Sequence, residues 1–301
     1  MLKTIVITPV RNEEEYIEKT VGAMIRQTVK PVKWIVVNDG SGDKTRDIIA
    51  KYRHIPYMHL VDLPDRGFRL PGQGVVEAFY MGLATASGLD YDILVKMDGD
   101  LYFDPDTFEL VLKEFEKDKR LGISSGTRYD RRKHSSGFKK VIVPVGYVGG
   151  PFKFYRRECF HQIGGLIRRS GWDGVDIVKA RMLGWDTKEI PHVKFYHMRP
   201  TGTANGEGLK KANIKYGEVS YHMGGYLWYF AFRVIGRSIL SRSVRCGAHM
   251  ILGYTRSASL RLPREDKEFR KYMKKMQLVN TRGYLNMLLR KKSHNNFFKK
   301  Y

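Results

Sequence analysis

Cysteine is almost missing from this chain. Its 301 residues include two, Cys159 and Cys246, too few for a disulfide framework, and no CxxC, HExxH or Cys/His cluster offers zinc ligands at a usual spacing. That usage suits a reducing compartment. Long apolar runs are also lacking: the strongest, Gly224–Phe232 (GGYLWYFAF), is cut by Arg233, well short of the roughly 20 residues a spanning helix needs. The opening MLKTIVITPV, broken by Thr8 and Pro9, is too short an apolar run for a signal peptide. The expectation is a cytoplasmic protein that does not cross a membrane.

Acidic residues are scarce beside basic ones, 31 against 54, for a net charge of +23. Polyanions such as nucleic acid, anionic lipid headgroups or pyrophosphates become candidate partners. From Thr201 onward 21 Lys/Arg face 5 Asp/Glu, so the basic excess belongs to the last third. What is plentiful is apolar and aromatic content, 42% and 12%, enough to bury a core and to exclude a disordered chain.

The first half alternates strand and helix signals. Thr4–Thr8 reads as a strand, after which Asn12 is placed to cap a helix that carries Ile17, Val21, Met24 and Ile25 on one face. Trp34–Val37 and Tyr57–Val61 read as further strands, Gly74–Ala86 as a helix and Ile93–Met97 as a strand. Phe108, Val111, Leu112 and Phe115 fall at helical spacing after Pro105. Repeated βα units predict an α/β fold with a mostly parallel sheet covered on both faces. Ligands of such sheets bind beyond the carboxyl ends of the strands. There the polar clusters Arg11–Glu15, Asn38–Asp43 and Asp98–Asp100 are expected to converge. Thr201–Gly208 (TGTANGEG) reads as a linker, which divides the chain into a domain over 1–205 and a basic, mainly helical region over 206–301.

Two clusters carry candidate chemistry. Asp98-Gly99-Asp100 sets two carboxylates at a strand tip, where a hard divalent cation would bridge them to substrate phosphates; the bland alternative is a solvated acidic turn. Asp39, in Asn38-Asp39-Gly40-Ser41, is placed to accept hydrogen bonds from a nucleobase imide or a ribose, or else merely belongs to a turn that caps a helix.

TPVRNEE (Thr8–Glu14), VNDGS (Val37–Ser41) and MDGD (Met97–Asp100), in this order and each behind a strand, resemble the inverting glycosyltransferases of family 2. The resemblance covers roughly Met1–Gly202 and implies a GT-A-type three-layer fold. It implies a nucleotide-diphosphate-sugar donor, with a UDP-sugar preferred although Asp39 would serve guanine equally, and magnesium or manganese as cofactor. By position, Pro9, Asn12 and Glu13 would line the nucleoside pocket, Asp39 would contact the base, and Asp98 and Asp100 would form the metal-binding pair. Many relatives carry a Glu-Asp pair at a helix start, and its second acid is the general base. Counted back from Gly184-Trp185, Asp173 takes the base position and Trp172 stands where the glutamate would be; Asp176, one turn on, is the runner-up. His197, in FYHMRPTG, would complete the metal shell or bind phosphate directly, the alternative being a loop anchor.

Trp228, Tyr229 and Phe230 with Arg233 and Arg237 combine aromatic and basic groups in a way that suits a membrane interface, although packing against the first domain is the commoner use of such residues. The expected partners are a saccharide or lipid-linked acceptor and an anionic membrane surface, on the inner face of the cell membrane. No specific nucleic acid is expected, since no recognisable module accompanies the charge. The alternatives are an anionic-surface or nucleic-acid binder using the basic region, and a sugar-phosphate nucleotidyltransferase. The latter would need a Gly-rich, Arg/Lys-containing loop where PVRNEEE stands.

Overall fold

The structure is a computed structural model that describes residues 1–68, 70, 72–132, 137–199 and 208–289, with the side chains of 282–289 excepted. Residues 201–207 of the expected linker lie outside the described residues. The chain divides into two compact units, Met1–Asn205 and Gly206–Tyr301.

In the first unit a nine-stranded sheet runs in the order β3-β2-β1-β4-β8-β6-β9-β5, with β7 pairing β6. Its parallel side consists of β1 (Thr4–Val10), β2 (Lys33–Asp39), β3 (Met58–Leu63) and β4 (Ile93–Met97). β1, β2 and β4 are buried on both faces because the two faces serve different cores, while β3 at the sheet edge is only partly buried. Val6, Val36, Val95 and Met97 pack into one cluster, whereas Ile5, Ile7, Ile35, Val37 and Leu94 pack into the other. A strand buried twice reads as a continuous apolar run. The layers outside the sheet come from α1 (Ile17–Ile25), α2 (Thr45–Ala50), α3 (Gln73–Thr85) and α4 (Thr107–Lys117). Phe108, Val111, Leu112 and Phe115 are all buried, as the spacing predicts.

Beyond α4 come β6 (Leu121–Arg131), β7 (Phe138–Lys140), β8 (Phe152–Arg156), α5 (Arg157–Gln162), α6 (Trp172–Met182) and β9 (Asp186–His197), while β5 (Leu101–Phe103) follows β4 closely. β8 enters antiparallel between β4 and β6, and β6 pairs β9 in parallel.

One local expectation is corrected. Asn12 does not cap α1: the helix begins at Ile17 with Tyr16 at its N-cap. Asn12 instead adopts φ 56°, a left-handed conformation that Asn tolerates better than most residues, and its Oδ1 accepts the Gly42 N–H at 2.9 Å. A contact to the next loop thus replaces a cap on its own helix.

The second unit holds α7 (Leu209–Met223), α8 (Leu227–Leu240), α9 (Val244–Ser259) and α10 (Lys267–Leu289). α7 and α9 cross closely at Gly217 and Gly253. Among the described residues no helix is long and apolar enough to cross a membrane.

Candidate active site

β4 ends at Met97, and the next three residues turn at the carboxyl edge of the parallel strands. Thr20 on α1 fixes the turn: its hydroxyl lies 2.8 Å from the carbonyl oxygens of both Gly99 and Leu101 and accepts the Leu101 N–H at 3.0 Å. Sheet register then brings in a distant residue. His197, the last residue of β9, stands opposite Leu101 on β5 and opposite Asp130 on β6. Its Nε2 is 3.3 Å from Asp100 Oδ2 and its Nδ1 3.5 Å from Asp130 Oδ1. Burial works to lower the His197 pKa, but bonding to Asp100 and Asp130 overcomes it and raises the imidazole to about 10. Burial likewise works to raise Asp100, yet the His197 bond and charge hold that carboxyl below its ordinary range. Asp98 is pushed up by burial against the pull of Lys96.

Asp98, Asp100 and His197 each offer one ligand atom, all within 4.8 Å of one another. Two carboxylate oxygens and an imidazole nitrogen are a donor set that suits magnesium or manganese, so the residues present fit a divalent cation. Two protein cations border the cluster. Lys96 pairs with Asp98 and also donates to the Gly150 carbonyl at 3.1 Å. Arg199 pairs with Glu13, while its Nε lies 3.5 Å from Asp100 Oδ2. Through Arg199 the first polar cluster is tied to the strand-tip carboxylates, as parallel neighbours ending at one edge require.

Pro9 lies buried within β1, opposite Val37. The Glu13 N–H donates to Thr45 Oγ1 at 2.7 Å and the Asn12 N–H to Ser41 Oγ at 3.0 Å, which lock the first loop onto the second. Asp39, at the end of β2, pairs with Arg66, which reaches Glu77 as well at 3.0 Å. Arg66 stands in the segment before α3, of which Arg69 and Pro71 lie outside the described residues.

The two candidate bases occupy different environments although both sit on α6. Asp176 is sealed in the interior. Both its oxygens accept from Lys153 Nζ, at 2.7 and 3.0 Å, and Tyr155 donates to it at 2.6 Å. Neither Lys153 nor Asp176 has any side-chain exposure. Asp176, the second candidate base, is thus enclosed and ties α6 to β8 through Lys153 and Tyr155. Asp173 is half-buried at the first turn of α6, and the Tyr147 hydroxyl donates to its Oδ2 at 3.3 Å. Burial, followed by the charge of Asp173, raises the Tyr147 phenol far above its ordinary pKa and keeps it a donor. Gly150 adjoins both regions, since its carbonyl accepts from Lys96 and a Cβ there would lie 3.0 Å from Asp173. Trp172 stands between two buried ammonium groups, with Lys96 Nζ 5.0 Å and Lys153 Nζ 5.5 Å from its ring centroid.

Comparison with known proteins places the chain in a family. Residues 5–170, more than half the chain, match the family described as Glycosyl transferase family 2. The chain belongs to that family. A segment of 117 residues, 38% of this chain, is 32% identical to chondroitin synthase of Pasteurella multocida and covers 11% of that protein. Another of 124 residues, 41% of this chain, is 30% identical to poly-beta-1,6-N-acetyl-D-glucosamine synthase of Staphylococcus aureus and covers 28% of it. The chain thus spans a minor part of the relatives it matches. The mannosyltransferase PcManGT from Pyrobaculum calidifontis, solved with GDP-Man and Mn2+, aligns over 97% of this chain and 88% of its own at TM-score 0.54 and 17% identity. S. aureus TarS 1-349 with UDP-GlcNAc aligns over 95% and 81% at TM-score 0.56, again 17% identical. These likenesses show the GT-A fold, a mostly parallel central sheet followed by C-terminal helices.

Around these candidate residues the sequence reading missed Lys96, Tyr147, Gly150, Lys153 and Asp130. Lys96 and Lys153 had one available signal. Lys96 interrupts the otherwise apolar ILVKM and Lys153 stands between two phenylalanines in FKFYR, and a buried lysine requires a carboxylate beside it.

Proposed function

We propose that this family-2 chain moves a sugar, with inversion, from a nucleotide-diphosphate-sugar to a hydroxyl acceptor in surface polysaccharide or glycolipid synthesis. The observation that carries the reading is the convergence of Asp98, Asp100 and His197 at the carboxyl edge of β4 and β9. The names of the relatives support it, since a chondroitin synthase and a poly-N-acetylglucosamine synthase both build polysaccharides. Structural neighbours were solved with UDP-GlcNAc and with GDP-Man and Mn2+, which supports a nucleotide-sugar donor. A UDP-sugar is the preferred one.

Asp98, Asp100 and His197 would hold the cation, magnesium or manganese. When bound, it would neutralise charge developing on the diphosphate leaving group. Pro9, Asn12 and Glu13 would line the nucleoside pocket. Asp39 would contact the base, and its pairing with Arg66 holds it in place. Asp173 takes the proton from the acceptor hydroxyl as the new glycosidic bond forms and the bond to the diphosphate breaks. Tyr147 orients that carboxylate. The region over 206–301 would rest on an anionic membrane surface at the cytoplasmic face, which favours a lipid-linked or membrane-proximal acceptor.

A donor-hydrolysis screen tests the reading. Purified protein is given UDP- and GDP-sugars with manganese, with magnesium and with chelator, and released nucleotide is measured. Metal-dependent release from a nucleotide-sugar is expected. Failure of every donor, or release unaffected by chelator, would overturn the donor or the metal assignment respectively.

A further inference from the structure

α8 is strongly amphipathic, but its sides are reversed relative to an ordinary surface helix. None of its 14 residues is buried. Trp228, Phe232, Ile235 and Ile239 follow one another at i, i+4, i+7 and i+11, which places them on one face, and Leu227 and Ala231 adjoin them. That face is the exposed one: Phe232 is 67% exposed, Ile235 56% and Ile239 69%. Of the two arginines, Arg237 turns toward the protein and Arg233 stays exposed. Arg237 Nε donates to Asn213 Oδ1 on α7 at 2.8 Å, and its guanidinium lies over the Tyr216 ring. Arg233 donates to Ser220 Oγ on α7 at 3.1 Å, and Phe230 stacks on Tyr254 of α9 at 4.6 Å between centroids. The apolar exposure continues through Leu240 and Val244, 85% and 81% exposed. A soluble monomer rarely leaves so continuous an apolar stripe in water.

We infer that the outer face of α8 is a lipid-insertion surface that lies in the plane of an anionic bilayer, an inference that rests on the peripheral-membrane part of the proposed function. Charge identifies the occupant. Between Glu218 and Glu265 the chain has no carboxylate and seven arginines, so an apolar stripe sits in a stretch of purely positive charge that complements anionic headgroups. Fourteen residues make a helix of about 21 Å, too short for a hydrocarbon core of about 30 Å and suited to lying at the boundary. Trp228, stacked on Tyr226 at 5.6 Å, stands at the N-terminal end of the stripe as an interfacial aromatic. Arg237 also holds the helix to α7, while Arg233 bonds Ser220 and stays exposed.

The test uses the full chain and its Phe232→Ser/Ile235→Ser variant, sedimented with phosphatidylglycerol–phosphatidylcholine vesicles and with phosphatidylcholine vesicles at low and high salt. Wild-type protein is expected on the anionic vesicles, with part of it retained at high salt because apolar insertion is not screened. The variant is expected to bind at least ~10-fold more weakly while it keeps wild-type donor hydrolysis. Trp228 emission is expected to shift to shorter wavelength on vesicles, a change absent from Trp228→Phe. If wild type binds and the variant binds equally well, the insertion face is overturned while the peripheral reading stands. If wild type does not sediment even at low salt, both fall. A self-association of wild-type protein that the variant loses, without vesicle binding, would make the stripe an interface between copies and overturn the lipid assignment.

Discussion

In the first unit lysines lie inside among carboxylates, as with Lys96 beside Asp98 and Lys153 beside Asp176, whereas in the second unit α8 turns Arg237 toward α7 and leaves Phe232, Ile235 and Ile239 outside. Both arrangements oppose the ordinary sorting of side chains by polarity, and the difference lies in what satisfies the misplaced group. Inside the first unit the partner belongs to the chain itself. Lys153 Nζ donates to the Asp173 carbonyl at 2.7 Å and to both Asp176 oxygens, so the three donors of an ammonium are all used. On α8 Phe232, Ile235 and Ile239 are more than half exposed among the described residues, and on the lipid-insertion proposal their cover comes from outside the chain. Sealed polar groups therefore point to architecture or chemistry, and unsealed apolar ones to an interface.

The sharpest way to break this contrast is to remove charge where the first unit is expected to use it. Asp100→Asn keeps the shape of the strand tip but withdraws a ligand oxygen's charge, and it is expected to cut donor turnover by ~10³-fold or more with the thermal midpoint nearly unchanged. Measured turnover close to wild type in the presence of chelator would remove the metal role from this carboxylate.

Asp173 and Asp176 give the next test, because they lie one helical turn apart in opposite environments. Asp173→Asn is expected to lower turnover by about 10²–10⁴-fold, as for loss of a positioned base, with little change in donor affinity by calorimetry. Asp176→Asn is expected to do the reverse. It leaves the Lys153 ammonium buried without its counter-charge and should cost about 3–5 kcal/mol of stability, read from urea midpoints, while the folded protein retains turnover. A stable but inactive Asp176→Asn beside an active Asp173→Asn would reverse the two roles.

That pair also shows what was legible before any coordinates. β1, β2 and β4 were readable because burial on both faces makes each of them an apolar run, and the polar clusters stood out where those runs stop. His197 was visible at the end of a strand-like segment, but nothing local shows that β5 and β6 flank it with Leu101 and Asp130, since pairing across a sheet is long-range information. The strands after Leu121 were obscured by their composition. β6 reads LGISSGTRYDR, and its interior Ser124 and Thr127 are satisfied only by Lys188 O and the Glu189 carboxylate on β9. Asn12 looked like a cap until the Gly42 amide, thirty residues away, took its side chain. On α8 the periodicity defined two faces without saying which of them meets water.

The smallest expected effect calibrates the buried pair against an outer one. Glu114 on α4 is bonded by Lys188 and Lys117, at 2.7 and 2.9 Å, whose side chains are 41% and 71% exposed. The Lys188 bond, then that of Lys117, holds its carboxyl down from 4.5 to about 2. A carboxyl whose folded pKa is depressed stabilises the fold above its unfolded value, and that contribution is lost as pH falls through the folded one. The window here runs from about pH 4.5 down to about 2. Because both lysines are open to solvent and screened, the contribution is ~1 kcal/mol rather than the figure expected for Lys153–Asp176. Glu114→Gln should therefore lower the urea midpoint modestly at pH 7, and the gap to wild type should close as pH is taken from 4.5 toward 2. A gap as large as that of Asp176→Asn, or one that widens in acid, would mean that solvent exposure of the partner does not set the value of a charge pair in this unit.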